Sequence, residues 1–284
     1  TYGYLVAYWF LLPFTWWAHS EDLLQIHIRR WTGPLLAAAG LVAVCVVPFR
    51  NLPIADGRPA GILNGFARDM VRDMEDRRWL VTDGSIDNNV LVAARDAGRP
   101  IRLLNLAQGN NQTYLKYVAD RFSDPRLKTM AQVSLLAFLQ EWLPNNPTAA
   151  RDVAVFSLPD LWYAAGLAAL PTRTLYVALA TNTPANAGQV LREHRRYWDR
   201  TVPALQKGLA SEARQEAWMA YPILRQLSAI ANNLGVQLEE WGLPDDAFAT
   251  YARARTIDTN NISALLNQFA MVRRGYATGT TNEI

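Results

Sequence analysis

One cysteine, three lysines and three histidines in 284 residues are small numbers, and each closes off a class of function. A lone thiol, Cys45, makes no intrachain disulfide and no zinc site of the paired-cysteine type. Lys116, Lys128 and Lys207 are the only lysines, so positive charge rests on arginine. The net charge of +3, from 28 basic and 25 acidic residues, offers no broad basic surface, and no nucleic-acid partner is expected. Neither a G-x-G-x-x-G run nor the lysine-bearing phosphate loop of nucleotide triphosphatases occurs. His19 and His27 lack a second ligand at metal spacing, and His194, beside Val190, Leu191, Tyr197 and Trp198, reads as a core histidine. No metal and no cofactor are expected.

Charge is also nearly missing from the first 49 residues, where only Glu21, Asp22, Arg29 and Arg30 carry it. Between Arg30 and Arg50 run nineteen uncharged residues. At ~1.5 Å each they approach the ~30 Å of a bilayer core and predict a transmembrane helix, a buried core helix being the alternative. Residues 1–18, with Trp9, Trp16 and Trp17 suited to an interface and Pro13 tolerated as a kink, read as the end of an earlier span. Position 1 is not Met and no basic stretch precedes the first apolar run, so a piece of a longer membrane protein is expected. Arg29 and Arg30 in the short loop place that loop inside, and residues 50–284 in an extracytoplasmic position at the membrane. The lipid bilayer is thus an expected partner.

Beyond Arg50 the chain has ordinary globular polarity. Residues 50–61, rich in Pro and Gly, read as a linker. From Ile62 to Met74, apolar residues recur at three- and four-residue spacing, opposite Arg68, Asp69, Arg72 and Asp73, which predicts an amphipathic helix. The strand-like WLVT (79–82), a helical stretch to Ala97 and the strand-like IRLLNL (101–106) form a βαβ unit. A weaker repeat comes next, with VAVFS (153–157), a helix from Pro159 through Leu170, and TLYVALA (174–180). Short apolar strands alternating with helices imply a mainly parallel sheet covered on both faces, over residues 62–182.

In such sheets ligands sit beyond the carboxyl ends of the strands, where this sequence is polar. Asp83, Asp87, Asn88 and Asn89 come after the first strand, Asn105, Gln108, Asn110 and Asn111 after the second, and Asp160 after the third. Asp83, Asp87, Asn88, Asn105, Gln108, Asn110 and Asp160 are therefore the candidate ligand-binding residues, for a sugar or a nucleotide. The plainer reading is that these side chains cap helices and satisfy turns.

After Asn182 strand signals stop, and Pro203, Pro222 and Pro244 are expected near helix starts. Leu234, Gly235, Leu238, Gly242, Ala247, Tyr251 and Ala254 have the spacing of the 34-residue tetratricopeptide pattern, with small residues where two helices cross closely. Such helices suggest either a protein-binding scaffold or simple packing. Arg192, Arg196 and Arg200, with Arg195 beside them, form either a cationic stripe for phosphate or anionic lipid, or a solvated helix face. The expected fold class is α/β plus all-α: two N-terminal transmembrane helices (1–49), a linker (50–61), a mainly parallel α/β domain (62–182) and tetratricopeptide-like hairpins (183–284).

Thr82, Asp83, Gly84, Asp87, Arg99, Pro100, Asn105 and Leu106 stand where an apolar strand, an acidic loop, an Arg-Pro pair and a strand ending in Asn-Leu would bring them. In this the chain resembles the C-terminal part of bacterial multi-spanning membrane proteins related to protein O-mannosyltransferases, with Asp and Gly in the opposite order. The resemblance implies a parent glycosyltransferase using a lipid-phosphate sugar donor, its catalytic acid outside this sequence. The chain itself would be a non-catalytic accessory region that binds a substrate or partner. The alternative is a membrane-anchored tetratricopeptide interaction scaffold with a structural α/β domain.

Overall fold

A computed structural model describes residues 38–42, 46, 60–146, 148–156, 158–179, 186–210 and 214–276. The chain divides into two units, Thr1–Gly57 and Arg58–Ile284. In the first, the described residues are helical, and Leu41, Val42 and Val46 are exposed. Among the described residues no helix is long and apolar enough to cross a membrane, which corrects the transmembrane part of the expected fold class. The two spans expected within 1–49 otherwise lie outside the described residues, as does most of the 50–61 linker.

The second unit begins with α1 (Ala60–Asp73), which buries Phe66, Ala67, Met70 and Val71 and exposes Arg68 and Arg72. Then come β1 (Trp79–Thr82), α2 (Asp87–Asp96), β2 (Arg102–Asn105) and a 3-10 turn over Leu106–Gln108. Three helices succeed it, α3 (Gln112–Ala119), α4 (Pro125–Val133) and α5 (Leu135–Asn145), with side-chain caps from Asn111, Asp124 and Ser134. After the single turn α6 (Ala149–Asp152) the chain enters β3 (Val153–Val155), α7 (Asp160–Ala164), β4 (Ala168–Pro171) and β5 (Tyr176–Leu179). It finishes in α8 (Ala187–Leu209), α9 (Arg214–Glu240), α10 (Pro244–Ile257) and α11 (Ile262–Arg273).

The five strands form one sheet in the order β2-β1-β3-β5-β4. β1 runs parallel to β2, with Trp79 opposite Arg102, and to β3, with Val81 opposite Val155. The β3–β5 and β4–β5 pairs are antiparallel. The sheet is therefore mixed, and the expectation of a mainly parallel one is corrected. β1 to β2 is the βαβ unit. The weaker repeat is instead a hairpin, because the segment from Pro159 to Leu170 gives a helix of only five residues and then a strand.

Alternation along the strands sorts the core into two layers. Leu80, Ala154 and Val177 face α1, α2 and the helices after residue 187, in a cluster with Met70, Val90, Trp198, Leu227 and Tyr251. Val81, Val153, Val155 and Tyr176 face the other way, against Leu115, Phe138, Trp142 and Trp162 of the helices placed after β2 and β3. All of β1 is buried, as a strand covered on both faces must be, which explains why WLVT reads as a continuous apolar run. The helices after residue 187 thus share one core with the sheet.

Of the three prolines expected near helix starts, Pro244 opens α10. Pro203 and Pro222 instead lie inside α8 and α9, both on exposed positions, where each removes one helical hydrogen bond. The tetratricopeptide expectation is also corrected. α9 alone takes 27 residues, whereas a 34-residue repeat divides its length between two helices and a turn of roughly half that size each.

Candidate functional site

The loop after β1 organises the polar residues that the sequence places at the strand ends. Asp83 Oδ1 accepts from the backbone N–H of Ser85 at 2.9 Å and from its hydroxyl at 2.7 Å, turning the chain toward α2. Asp87, the first residue of α2, accepts from the buried Thr82 hydroxyl at 2.6 Å and from Asn105 Nδ2 at 2.7 Å. One carboxylate therefore ties the end of β1 to the end of β2. The backbone N–H of Asn105 donates to the Tyr114 hydroxyl at 2.8 Å, and that hydroxyl donates to the Leu103 carbonyl at 3.3 Å. Burial, with a smaller contribution from the Asp87 carboxylate, raises the Tyr114 phenol above its ordinary value and keeps its proton in place for that bond.

Of the seven predicted ligand residues, the structure thus joins Asp87 and Asn105 in an internal latch, with Asp83 shaping the turn that leads from β1 into α2. Asn88 and Asn110 are exposed. Gln108 Oε1 accepts from Asn111 Nδ2 at 3.0 Å, while Asn111 caps α3. Asp160 is exposed in the first turn of α7. Most of the polar rim is engaged in turns and caps, and does not converge on one ligand.

A crevice does form at the strand ends. From β1 the chain moves to β2 on one side, and β3 adds on the other, so the order reverses between β1 and β3. That switch point is where open α/β sheets hold their ligands. A cavity of about 440 Å³ lies there, lined by Asp83 and Ser85 after β1, Phe156 after β3, and Tyr221, Arg225 and Gln226 of α9. Gln226 is 9% exposed, and its Nε2 is buried with no hydrogen-bond partner among the described residues. Asp83 is the one predicted residue that reaches this wall. The α9 residues lie more than a hundred positions further along the chain, and no local pattern marks them.

Among the described residues the lining carries hydrogen-bonding groups, one guanidinium and two aromatic rings, and no histidine, cysteine or lysine to activate a nucleophile. Among the described residues no group of three or more His, Cys, Asp or Glu stands together to hold a metal ion. No protein-family model matches the chain, and comparisons with curated proteins and with solved structures found no match. The membrane, tetratricopeptide and glycosyltransferase descriptions expected from the sequence accordingly have neither a family match nor a membrane-length helix among the described residues behind them, and are withdrawn.

Proposed function

We propose that the Arg58–Ile284 unit is a binding body for a small polyhydroxylated molecule, a sugar or the ribose-bearing part of a nucleotide, taken into the switch-point crevice. The observation that carries this reading is the position of the cavity, at the carboxyl ends of β1 and β3 where the strand order reverses. Its chemistry is consistent with such a ligand. A carboxylate and a buried amide recognise hydroxyls, the rings of Phe156 and Tyr221 cover an apolar sugar face or a base, and Arg225 meets negative charge. The volume, about 440 Å³, falls within the ~300–1,000 Å³ of small-molecule sites.

Calorimetric titration of the whole chain with mannose, glucose, adenosine and AMP tests the reading. One of the four should bind, and Gln226→Ala should weaken it by about fivefold to tenfold, the equivalent of one hydrogen bond. Binding of none of them, or binding indifferent to both Gln226→Ala and Arg225→Ala, would remove the crevice as the site.

A further inference from the structure

A second and larger cavity, of about 880 Å³, lies between the C-terminal turn of α1, the β4–β5 hairpin and α8. Among the described residues five arginines line it, Arg72, Arg77, Arg173, Arg196 and Arg200, against the carboxylates of Asp73, Glu75 and Glu193, with Asp69 just outside the lining paired to two of the arginines, so positive charge is in excess by one. The arginines are not equivalent. Arg173 is fixed from below: it forms an ion pair with the buried Asp73, whose other oxygen accepts from Thr174 Oγ1 at 2.7 Å. Its guanidinium also lies 5.8 Å from the centre of the Tyr197 ring. Arg200 flanks the same ring at 5.4 Å.

The outer arginines are poised differently. Arg72 and Arg200 both lean on Asp69, at 3.2 and 3.1 Å, with side chains 63% and 61% exposed. Such pairs contribute only ~0–1 kcal/mol, so either guanidinium can leave for a better acceptor at little cost. Arg196 has no ion-pair partner among the described residues. Beside these cations, Leu170, Val177 and Val190 give the cavity an apolar side.

We propose that this cavity binds an organic phosphate monoester, the phosphate held by Arg196 and Arg200 with Arg173 behind them and the organic body resting on Leu170 and Val177. A phosphate monoester carries about −1.5 to −2 charges at neutral pH, so it draws Arg200 away from Asp69 and holds Arg196, unpaired among the described residues, more strongly than a carboxylate of one charge does. Guanidinium forks pair with phosphate oxygens two at a time, which suits an arginine-only cluster in a chain so poor in lysine.

The test uses the whole chain and three probes: phenyl phosphate, benzoate and inorganic phosphate. Phenyl phosphate should bind at least tenfold more tightly than benzoate, which lacks the second charge, and more tightly than inorganic phosphate, which lacks the apolar body. Arg196→Ala with Arg200→Ala should weaken phenyl phosphate at least tenfold. Arg192→Ala with Arg195→Ala removes the same charge from residues of α8 outside the cavity and should change binding less than twofold, as should Gln226→Ala in the crevice. If the first pair disturbs folding, Arg196→Lys with Arg200→Lys keeps the charge but not the forks and should weaken phenyl phosphate severalfold while leaving it tighter than benzoate. Equal losses in the two alanine pairs, a benzoate as tight as phenyl phosphate, a lysine pair that binds phenyl phosphate as tightly as the parent, or no binding of phenyl phosphate at millimolar concentration each overturns the proposal.

Discussion

The ring of Tyr251 lies directly over Gly235: a Cβ on that glycine would stand 2.5 Å from Cε1 and 2.7 Å from Cδ1. Neither side can give way easily. Tyr251 is fully buried, and its hydroxyl donates to Glu239 Oε1 at 2.7 Å. The pair sets how closely α9 and α10 approach, and it accounts for the small–large spacing visible in the sequence without any repeat.

An alanine in mid-helix normally adds up to ~1 kcal/mol over glycine, so the sign of Gly235→Ala depends on which effect is larger. A contact of 2.5 Å against a fixed ring is overpacking of the kind that costs ~1–3 kcal/mol, and net destabilisation is expected. Gly65, inside α1 with nothing within 4 Å of its missing Cβ, is the control, and Gly65→Ala should stabilise by up to ~1 kcal/mol. Urea unfolding of both variants reads the difference. A Gly235→Ala protein more stable than the parent would show that the hairpin is not closely packed there.

Asp87 distinguishes a latch from a ligand residue. Asp87→Ala strips the partners from Thr82 Oγ1 and Asn105 Nδ2, both hydrogen-bonded to a charged group, and should destabilise by about 3 kcal/mol. Asp87→Asn should lose roughly half as much, because Asn105 can turn its buried, unpartnered Oδ1 toward the new amide. In the folded fraction, affinity at the crevice should be unchanged. A stable Asp87→Ala protein that no longer binds its ligand would return Asp87 to the site.

The parts of the fold legible in the sequence are those whose reasons are local. β1 and β2 read as strands because WLVT and IRLLNL are short apolar runs with a helical stretch between them, and α1 because its apolar residues fall on one face. The outer hairpin was hidden by Leu161, Trp162, Ala164 and Ala165, which extend a helical pattern toward Leu170. Gly166, at a φ of +72°, ends α7 there, and the Leu167 N–H turns back to the Trp162 carbonyl. A glycine with two apolar runs after it, around Thr172–Thr174, was the readable sign of that hairpin. Asp83 and the Arg196–Arg200 stripe were legible, but the cavities were not, since Gln226 and Arg72 come to line them only through the tertiary fold.

The Asp73–Arg173 pair should behave as a buried ion pair does. Burial raises the Asp73 carboxyl even with Thr174 and Arg173 acting to lower it, so desolvation outweighs attraction at this site. Asp73→Ala leaves Arg173 and Thr174 without their acceptor and should cost about 3–5 kcal/mol. Asp73→Leu combined with Arg173→Met should be more stable than either single variant, by thermal unfolding. Additive losses in the double variant would mean that Asp73 and Arg173 are not coupled.

His194 should make the protein acid-sensitive. Its ring is 2% exposed, and Nδ1 donates to the Val190 carbonyl at 2.9 Å in the neutral tautomer. Nε2 is buried without a hydrogen bond of ordinary geometry, although the Thr172 carbonyl lies close enough to favour a proton. Burial is the largest influence and holds the imidazole below its ordinary 6.5, with Arg173 acting in the same direction and Glu193 and the two carbonyls against. Below pH 6.5 the unfolded chain therefore binds a proton that the folded protein refuses. Stability falls as pH drops from there to the depressed folded value, by up to ~1.4 kcal/mol per pH unit, and the contribution is flat above. Asp73, whose carboxyl is raised from 3.8, acts in the opposite sense at lower pH, so the comparison is made against His194→Asn. That variant keeps a donor for the Val190 carbonyl and cannot titrate. The stability difference between parent and variant should shrink as pH falls from 6.5 toward 5 and stay constant from 7 to 8; a difference that is level from 8 to 5 would mean that His194 takes up its proton in the folded protein as readily as in the unfolded chain.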